Sequence, residues 1–364
     1  MKLASVTQGK NNNFNLIRIV AAFAVLVAHS YALLDRPDPF GQALGIDLGS
    51  FAVDVFFIAS GFLVTGSLLL RQSLRDYFLA RVLRIYPALL VVLLLTVFVL
   101  GAFFTTLSLA SYYSHPQIYL YLKRCLTLVT GAAYYLPGVF EDNPYKSAVN
   151  GSLWSMVYEV KMYISLAIFW ALCSAIKQYG IRVFRAVIVV SAVVSAILVL
   201  VYKFSDRDES QSIRLFFMFF SGAAYWILKD RVRLSAPIFG SVCAMLIVSA
   251  LLGETAFFLV YQLSIAYLLF YLAYVPADML RKYNTVGDYS YGVYIYAFPI
   301  QQSLIALLPK ISVLELTLLS GALTLVLAAL SWHLIERRAL DLKNWFLKSA
   351  KRETRLLNHP ASPV

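Results

Sequence analysis

The chain has 364 residues, of which 60% are hydrophobic and only 14% charged; soluble domains run at roughly 45–50% and about 25%. That balance excludes an ordinary soluble globular protein, and the apolar residues recur in blocks of about 20, the length that crosses roughly 30 Å of hydrocarbon as a helix. The blocks lack the ten-residue alternation of an outer-membrane barrel, so the net charge of +12 reads as loop topology and not as nucleic-acid binding.

An all-α, polytopic membrane protein is expected, with about ten spans near 14–34, 50–70, 87–105, 152–175, 183–202, 212–228, 234–252, 256–275, 290–309 and 313–335. The first block, "NLIRIVAAFAVLVAHSYALL", follows the polar "MKLASVTQGKNNNF". It is too long for the apolar core of a signal peptide and reads as a retained span. It contains Arg18 and His29. Eleven residues return a helix to within about 20° of the same face and separate the pair by roughly 16 Å. Charged side chains at membrane depth are costly and usually face a cavity or pathway. The competing reading is a snorkelling Arg and a structural His.

The second block, "FAVDVFFIASGFLVTGSLL", places Asp54 and Ser60 among aromatics. Gly61 and Gly66 fit close helix packing, whereas Asp54 calls for a partner or water. "RDYFLARVLRIYP" (75–87) is basic and amphipathic and is expected at a membrane interface. Its Arg81 and Arg84 share a helix face and suit forked bonds to phosphate, while Arg71 and Arg75 read as headgroup anchors. "YLKRCLTLVTGAAYYLPGVF" (121–140) has too short an apolar core to span and reads as a re-entrant or surface helix.

"NGSLWSMVYEVKMYI" opens the fourth span with Trp154 at the outer interface. Glu159 lies about 7 Å deeper, on the face of Ser155 and Tyr163; it is either a site residue or a partner of Lys161 or an Arg. "SWHLIERR" closes the last span with Glu336 and Arg337, a pattern typical of a helix-end ion pair. Cys125, Cys173 and Cys243 have neither metal nor disulfide spacing, and no metal is expected.

With the N-terminus cytoplasmic, the inner segments collect 21 of the 31 Lys and Arg, and the outer segments hold eight, Arg214 among them. That asymmetry puts both termini inside. One membrane domain is expected over 1–340, followed by a short basic cytoplasmic tail over 341–364. No internal repeat is visible, which weighs against a transporter.

Six segments in order, "IRIVAAFAVLVAH", "VDVFFIASGFL", "RVLRIYP", "LWSMVYE" with Tyr163, "SYGVYIYAFP" and "IER", resemble the integral-membrane acyltransferase-three family from Arg18 to Glu336. The resemblance implies about ten spans. It also implies transfer of an acyl group, usually acetyl, from cytoplasmic acyl-CoA to an extracytoplasmic acceptor such as a cell-surface polysaccharide. The family's Arg and His correspond to Arg18 and His29, its acidic residue after the Trp to Glu159, and its basic motif to Arg81 and Arg84. Two positions depart from the pattern: Ala297 stands where a late His often occurs, and Arg337 where Pro is usual.

The expected enzyme is therefore an O-acyltransferase of the bacterial inner membrane using acetyl-CoA, with an extracytoplasmic or lipid-linked carbohydrate as acceptor. Arg18, Arg81 and Arg84 would hold the phosphates of CoA. His29 would take the proton of the attacking hydroxyl, with Glu159 or Asp54 orienting it or binding acceptor hydroxyls. Ser60, Trp154, Ser155 and Tyr163 are expected to contact substrate, with Ser60, Trp154 or a backbone N–H as oxyanion donor. Direct transfer is preferred to an acyl-enzyme, since there is no "GxSxG" and no Cys beside a base. Membrane lipids, and a separate extracytoplasmic protein that completes the transfer, are the remaining expected partners. The alternatives are a transporter or flippase and a non-catalytic membrane relative.

Overall fold

The structure, a computed structural model, describes residues 1–7, 9, 11–205, 210–276 and 278–342. Among these every extended element is a helix, the form that satisfies each backbone N–H and C=O within its own segment in lipid. The long helices are α1 (Phe14–Leu33), α2 (Leu48–Arg71), α3 (Leu74–Leu95), α4 (Pro116–Thr127), α5 (Leu153–Ser174), α6 (Gly180–Lys203), α7 (Gln211–Ile227), α8 (Ala236–Leu252), α9 (Glu254–Tyr274), α10 (Ser290–Leu307) and α11 (Val313–Ser331). α3 runs on through a π-helical turn, Thr96–Gly101, to Phe104, and α11 through another, Trp332–Glu336, to Leu342.

Seven of these helices, α1, α2, α3, α5, α6, α9 and α11, are long and apolar enough to cross a membrane. Helices also stand at the three other predicted places. However, α7 and α8 stop at 17 residues, and α10, at 18, contains Gln301 and Gln302. Among the described residues, length and apolarity alone therefore support seven of the about ten expected spans.

Residues 75–87 form the first half of α3, continuous with the span expected from 87, and are capped by the Ser73 hydroxyl, which accepts from the Asp76 N–H at 3.2 Å. Tyr77, Ala80 and Ile85 of this half are buried. Arg81 and Arg84 line an internal cavity, whereas Arg75 is exposed; a linear pattern cannot distinguish the two surroundings.

α2 is the most buried of the seven spans. It crosses α7 at a reciprocal glycine contact: a Cβ on Gly61 would collide with the Phe219 carbonyl, and one on Gly222 with the Ile58 carbonyl. Only a missing side chain on each helix permits that approach. Phe62 then packs edge-on against Trp226 and at a tilt against Phe270, with centroids at 5.1 and 4.5 Å. α6, α8 and α11 turn Val194, Ile247, Leu318 and Val326 outward, a surface suited to hydrocarbon.

The segments predicted to share one side of the membrane meet at one end of the bundle. The Leu3 N–H donates to Val232 O at 2.9 Å, and the Asn13 amide donates to Leu272 O and Pro276 O. At the other end, the Asn150 amide donates to Ile295 O and the Gln302 amide to Ala148 O at 2.7 Å, pinning the 128–152 connection onto α10. The 341–364 tail expectation falls mostly on 343–364, outside the described residues.

Candidate active site

Two cavities follow one another along α1. The first, about 370 Å³, lies among α1, α2, α3, α5, α10 and the π-helical turn of α11. Of the predicted site residues it takes in Arg18, Ser60, Arg81, Arg84, Ser155, Glu159 and Tyr163. The second, about 330 Å³, holds His29 and Trp154 together with Arg36, Asp38, Asp47 and Ser50. The linings share two residues, Val53 and Tyr294, so these two side chains form the partition. On α2 the first cavity extends from Val53 to Val64, roughly 16 Å of helix.

The first cavity is cationic at one end. Arg18 Nη1 and Arg84 Nη2 both donate to Asp288 Oδ2, at 2.9 and 2.6 Å. Arg84 Nη1 also lies 3.7 Å from Glu336 Oε2, and the Ser331 hydroxyl donates to Glu336 Oε1. Burial would raise the Asp288 carboxyl, but Arg18 and Arg84, helped by Ser290, hold it down to about 2. Arg81 has no carboxylate partner among the described residues. Its Nε is buried without a hydrogen-bond partner there, and its guanidinium lies over the Tyr163 ring at 5.7 Å. The site thus contains one guanidinium with free donors and two that share a carboxylate.

Further along this cavity the Tyr163 hydroxyl donates to Glu159 and lies 2.9 Å from Ser60 Oγ. Glu159 forms no ion pair with Lys161 or any Arg among the described residues. Ser155 Oγ lies 2.5 Å from the Tyr294 hydroxyl, which also donates to Ser152 O at 3.1 Å. With the Phe56 ring edge-on at 5.7 Å, these contacts hold the Tyr294 ring across the partition.

In the second cavity, His29 meets Phe298 edge-on at 5.2 Å, and its Nδ1 is buried with no hydrogen-bond partner among the described residues. The Gln301 amide fixes this part of α1 by donating to Leu26 O and Ser30 Oγ, both at 2.8 Å. Asp47 caps α2, its carboxylate accepting from the Ser50 N–H and hydroxyl at 2.7 Å. Asp38 accepts from the N–H groups of Phe40 and Leu48.

Asp54 lines neither cavity. It is fully buried, accepting from Arg214 Nη1 at 3.0 Å and from the Tyr261 hydroxyl at 2.9 Å. Arg214, counted from sequence among outer-loop charges, is itself buried in α7 and also bonds Gln211. Ala297 is buried, and the α10 residue beside His29 is Phe298.

Sequence reasoning passed over Asp288, Asp47, Asp38 and Tyr294. Asp288 lies two residues before the "SYGVY" segment, in a short polar connection, and gives no periodic signal. Asp38 and Asp47 are turn and cap residues by pattern, and nothing linear brings them to His29. No group of three or more His, Cys, Asp or Glu that could hold a metal occurs among the described residues.

A helical membrane protein whose internal cavity holds clustered guanidiniums and adjoins a second cavity bearing an imidazole fits a group-transfer enzyme. Comparison with known proteins makes that specific. The family model described as "Acyltransferase domain" (Acyl_transf_3) matches residues 11–333, and the chain belongs to this acyltransferase family. It is 31% identical over 341 residues to an "O-acetyl transferase" of Shigella phage Sf6, covering 91% of this chain and 96% of that protein. It is 26% identical over 366 residues to "Nodulation protein 10" of Rhizobium leguminosarum bv. viciae, covering 93% and 95%. No solved structure matches the chain. The protein is an integral membrane enzyme that transfers acyl groups.

Proposed function

We propose that the chain is an O-acyltransferase of the bacterial inner membrane. It moves an acetyl group from cytoplasmic acetyl-CoA to a hydroxyl of an extracytoplasmic or lipid-linked carbohydrate. The observation that carries this reading is the succession of cavities along α1, with guanidiniums at one end, the imidazole at the other, and Val53 and Tyr294 between. The phage relative is named an O-acetyl transferase, which supports acetyl as the group. In this reading one domain covers 1–340, with α7, α8 and α10 completing ten spans and both termini cytoplasmic.

The phosphates of CoA meet Arg81 first, since its donors are free, and then Arg18 and Arg84, whose shared Asp288 keeps them aligned before the donor arrives. Forked guanidinium bonds suit phosphate. The pantetheine arm follows α2 past Ser60 and Tyr163, and the thioester reaches the partition. The acceptor oxygen attacks the thioester carbonyl from the second cavity as His29 takes the hydroxyl proton. The C–S bond then breaks and the departing thiolate recovers a proton. The hydroxyls of Ser155 and Tyr294 stand at the partition, and the Ser155 O–H, turned from Tyr294 to the thioester, supplies a donor for the oxyanion, while Trp154 offers a stacking face to the acceptor. Glu159 acts through Tyr163 as a positioning residue, whereas Asp54 holds α2 to α7 through Arg214.

The test uses inverted membrane vesicles with acetyl-labelled acetyl-CoA outside. Label is expected on glycan enclosed in the lumen, and only in vesicles containing the protein. Glycan movement that needs no acyl-CoA would instead favour a transporter.

A further inference from the structure

Lys161 lies in α5, a helix long and apolar enough to span, about 12 Å from its N-terminal end. No carboxylate pairs with it among the described residues. Its Nζ sits 5.4 Å from the Tyr158 ring centroid, so the side chain rises toward the end of α5 that carries Trp154. A cation at this depth calls for a partner, and the acyl-transfer chemistry above does not use it.

Lys161 and Tyr158 together line two further cavities. One, about 510 Å³, opens between α5, α6 and α7 and is walled by Val190, Val194, Leu198, Ile213 and Phe216. Val190, Val194 and Leu198 are exposed on the surface suited to hydrocarbon. The other, about 380 Å³, is polar and aromatic, with Thr130, Tyr134, Gln211 and Trp154. Trp154 also lines the His29 cavity. From the lipid-facing side inward the order is apolar groove, ammonium, polar aromatic cleft, imidazole.

We infer that this succession is a lateral entry site for a polyprenyl phosphate or diphosphate bearing a saccharide, the acceptor being drawn from the membrane plane. The inference rests on the acyl-acceptor reading of the His29 cavity. The prenyl chain lies in the Val190–Phe216 groove, the phosphate meets Lys161, and the sugars pass Tyr134 and Trp154 to His29. A water-soluble glycan would leave the apolar groove and the ammonium without a purpose.

The test is photolabelling of the full chain in nanodiscs by decaprenyl diphosphate with a diazirine on its chain, read by peptide mapping, so it needs no acyl transfer. Label is expected on α5, α6 and α7 and should be displaced by unlabelled decaprenyl diphosphate. It should fall about tenfold or more in Lys161→Met, as expected for loss of one charge-assisted contact, and persist in Lys161→Arg. Met at a lipid-facing position preserves length and apolarity, and an unchanged size-exclusion peak verifies folding. Equal labelling by a phosphatidylglycerol with the same diazirine, label insensitive to Lys161→Met, or no label on these helices would each overturn the inference. Specific labelling in a protein that transfers no acetyl group would leave the site standing and remove the enzyme reading instead.

Discussion

Replacing Asp54 by Asn separates two roles for this carboxylate. Asp54 is fully buried and Arg214 nearly so, and their oxygen and nitrogen lie 3.0 Å apart. Removing one member of a buried pair typically costs about 3–5 kcal/mol. At roughly 2 °C per kcal/mol for a large chain, Asp54→Asn should lower the midpoint of thermal unfolding by about 6 °C or more. The assay is fluorescence-detected size exclusion of detergent-solubilised protein after heating. The double variant Asp54→Leu/Arg214→Met removes both charges and should recover at least about half of the loss, because well-packed apolar pairs commonly replace buried ion pairs. Recovery should be incomplete, since Tyr261 and Gln211 each lose a partner, at about 1–3 kcal/mol per unsatisfied group. Acetyl transfer per folded molecule should return with stability. An unchanged midpoint in Asp54→Asn would refute the structural weight given to the pair. A stable double variant without transfer would show that Asp54 acts in the chemistry itself.

The remaining predictions concern packing and the two cavities. Gly61→Ala and Gly222→Ala each put a methyl against a facing carbonyl and should sharply reduce folded yield, whereas Gly240→Ala, which meets open space, should not. Arg81→Met should raise KM for acetyl-CoA about tenfold or more with a smaller change in kcat, the scale of one charge-assisted phosphate contact; an unchanged KM would remove it from donor binding. Tyr294→Ala opens the partition and should produce acetyl-CoA hydrolysis without acceptor, measured as free thiol release. Tyr294→Phe keeps the ring and should not leak, so equal leakage in both would show that the hydroxyl, and not the ring, closes the passage.

The helices were legible because hydrocarbon imposes its thickness on a span, and a helix stands at each of the ten places, although the third begins at Leu74, thirteen residues before the expected 87. The same signal misplaced Arg214, a charge counted in a loop that is buried against Asp54, a relation between distant segments that no window contains. The site was legible where residues share one helix: Ser155, Glu159 and Tyr163, spaced by fours, do line one cavity. Adjacent residues diverge for the same reason: Trp154 and Ser155, about 100° apart on α5, open into different cavities. Asp288 and Tyr294 gain their places only through α10's packing against α1 and α3, and Asp47 through a cap that happens to face His29.

The central claim is that His29 is the base for acyl transfer, and its most direct test is transfer by His29→Ala. Membranes matched for folded wild type or variant receive acetyl-labelled acetyl-CoA, and label is followed into the surface-glycan fraction. The account predicts transfer by wild type and a loss of at least 10²-fold in the variant, the scale of general-base catalysis, with KM for acetyl-CoA unchanged because the donor's phosphates lie in the other cavity. Equal label from both proteins would contradict it.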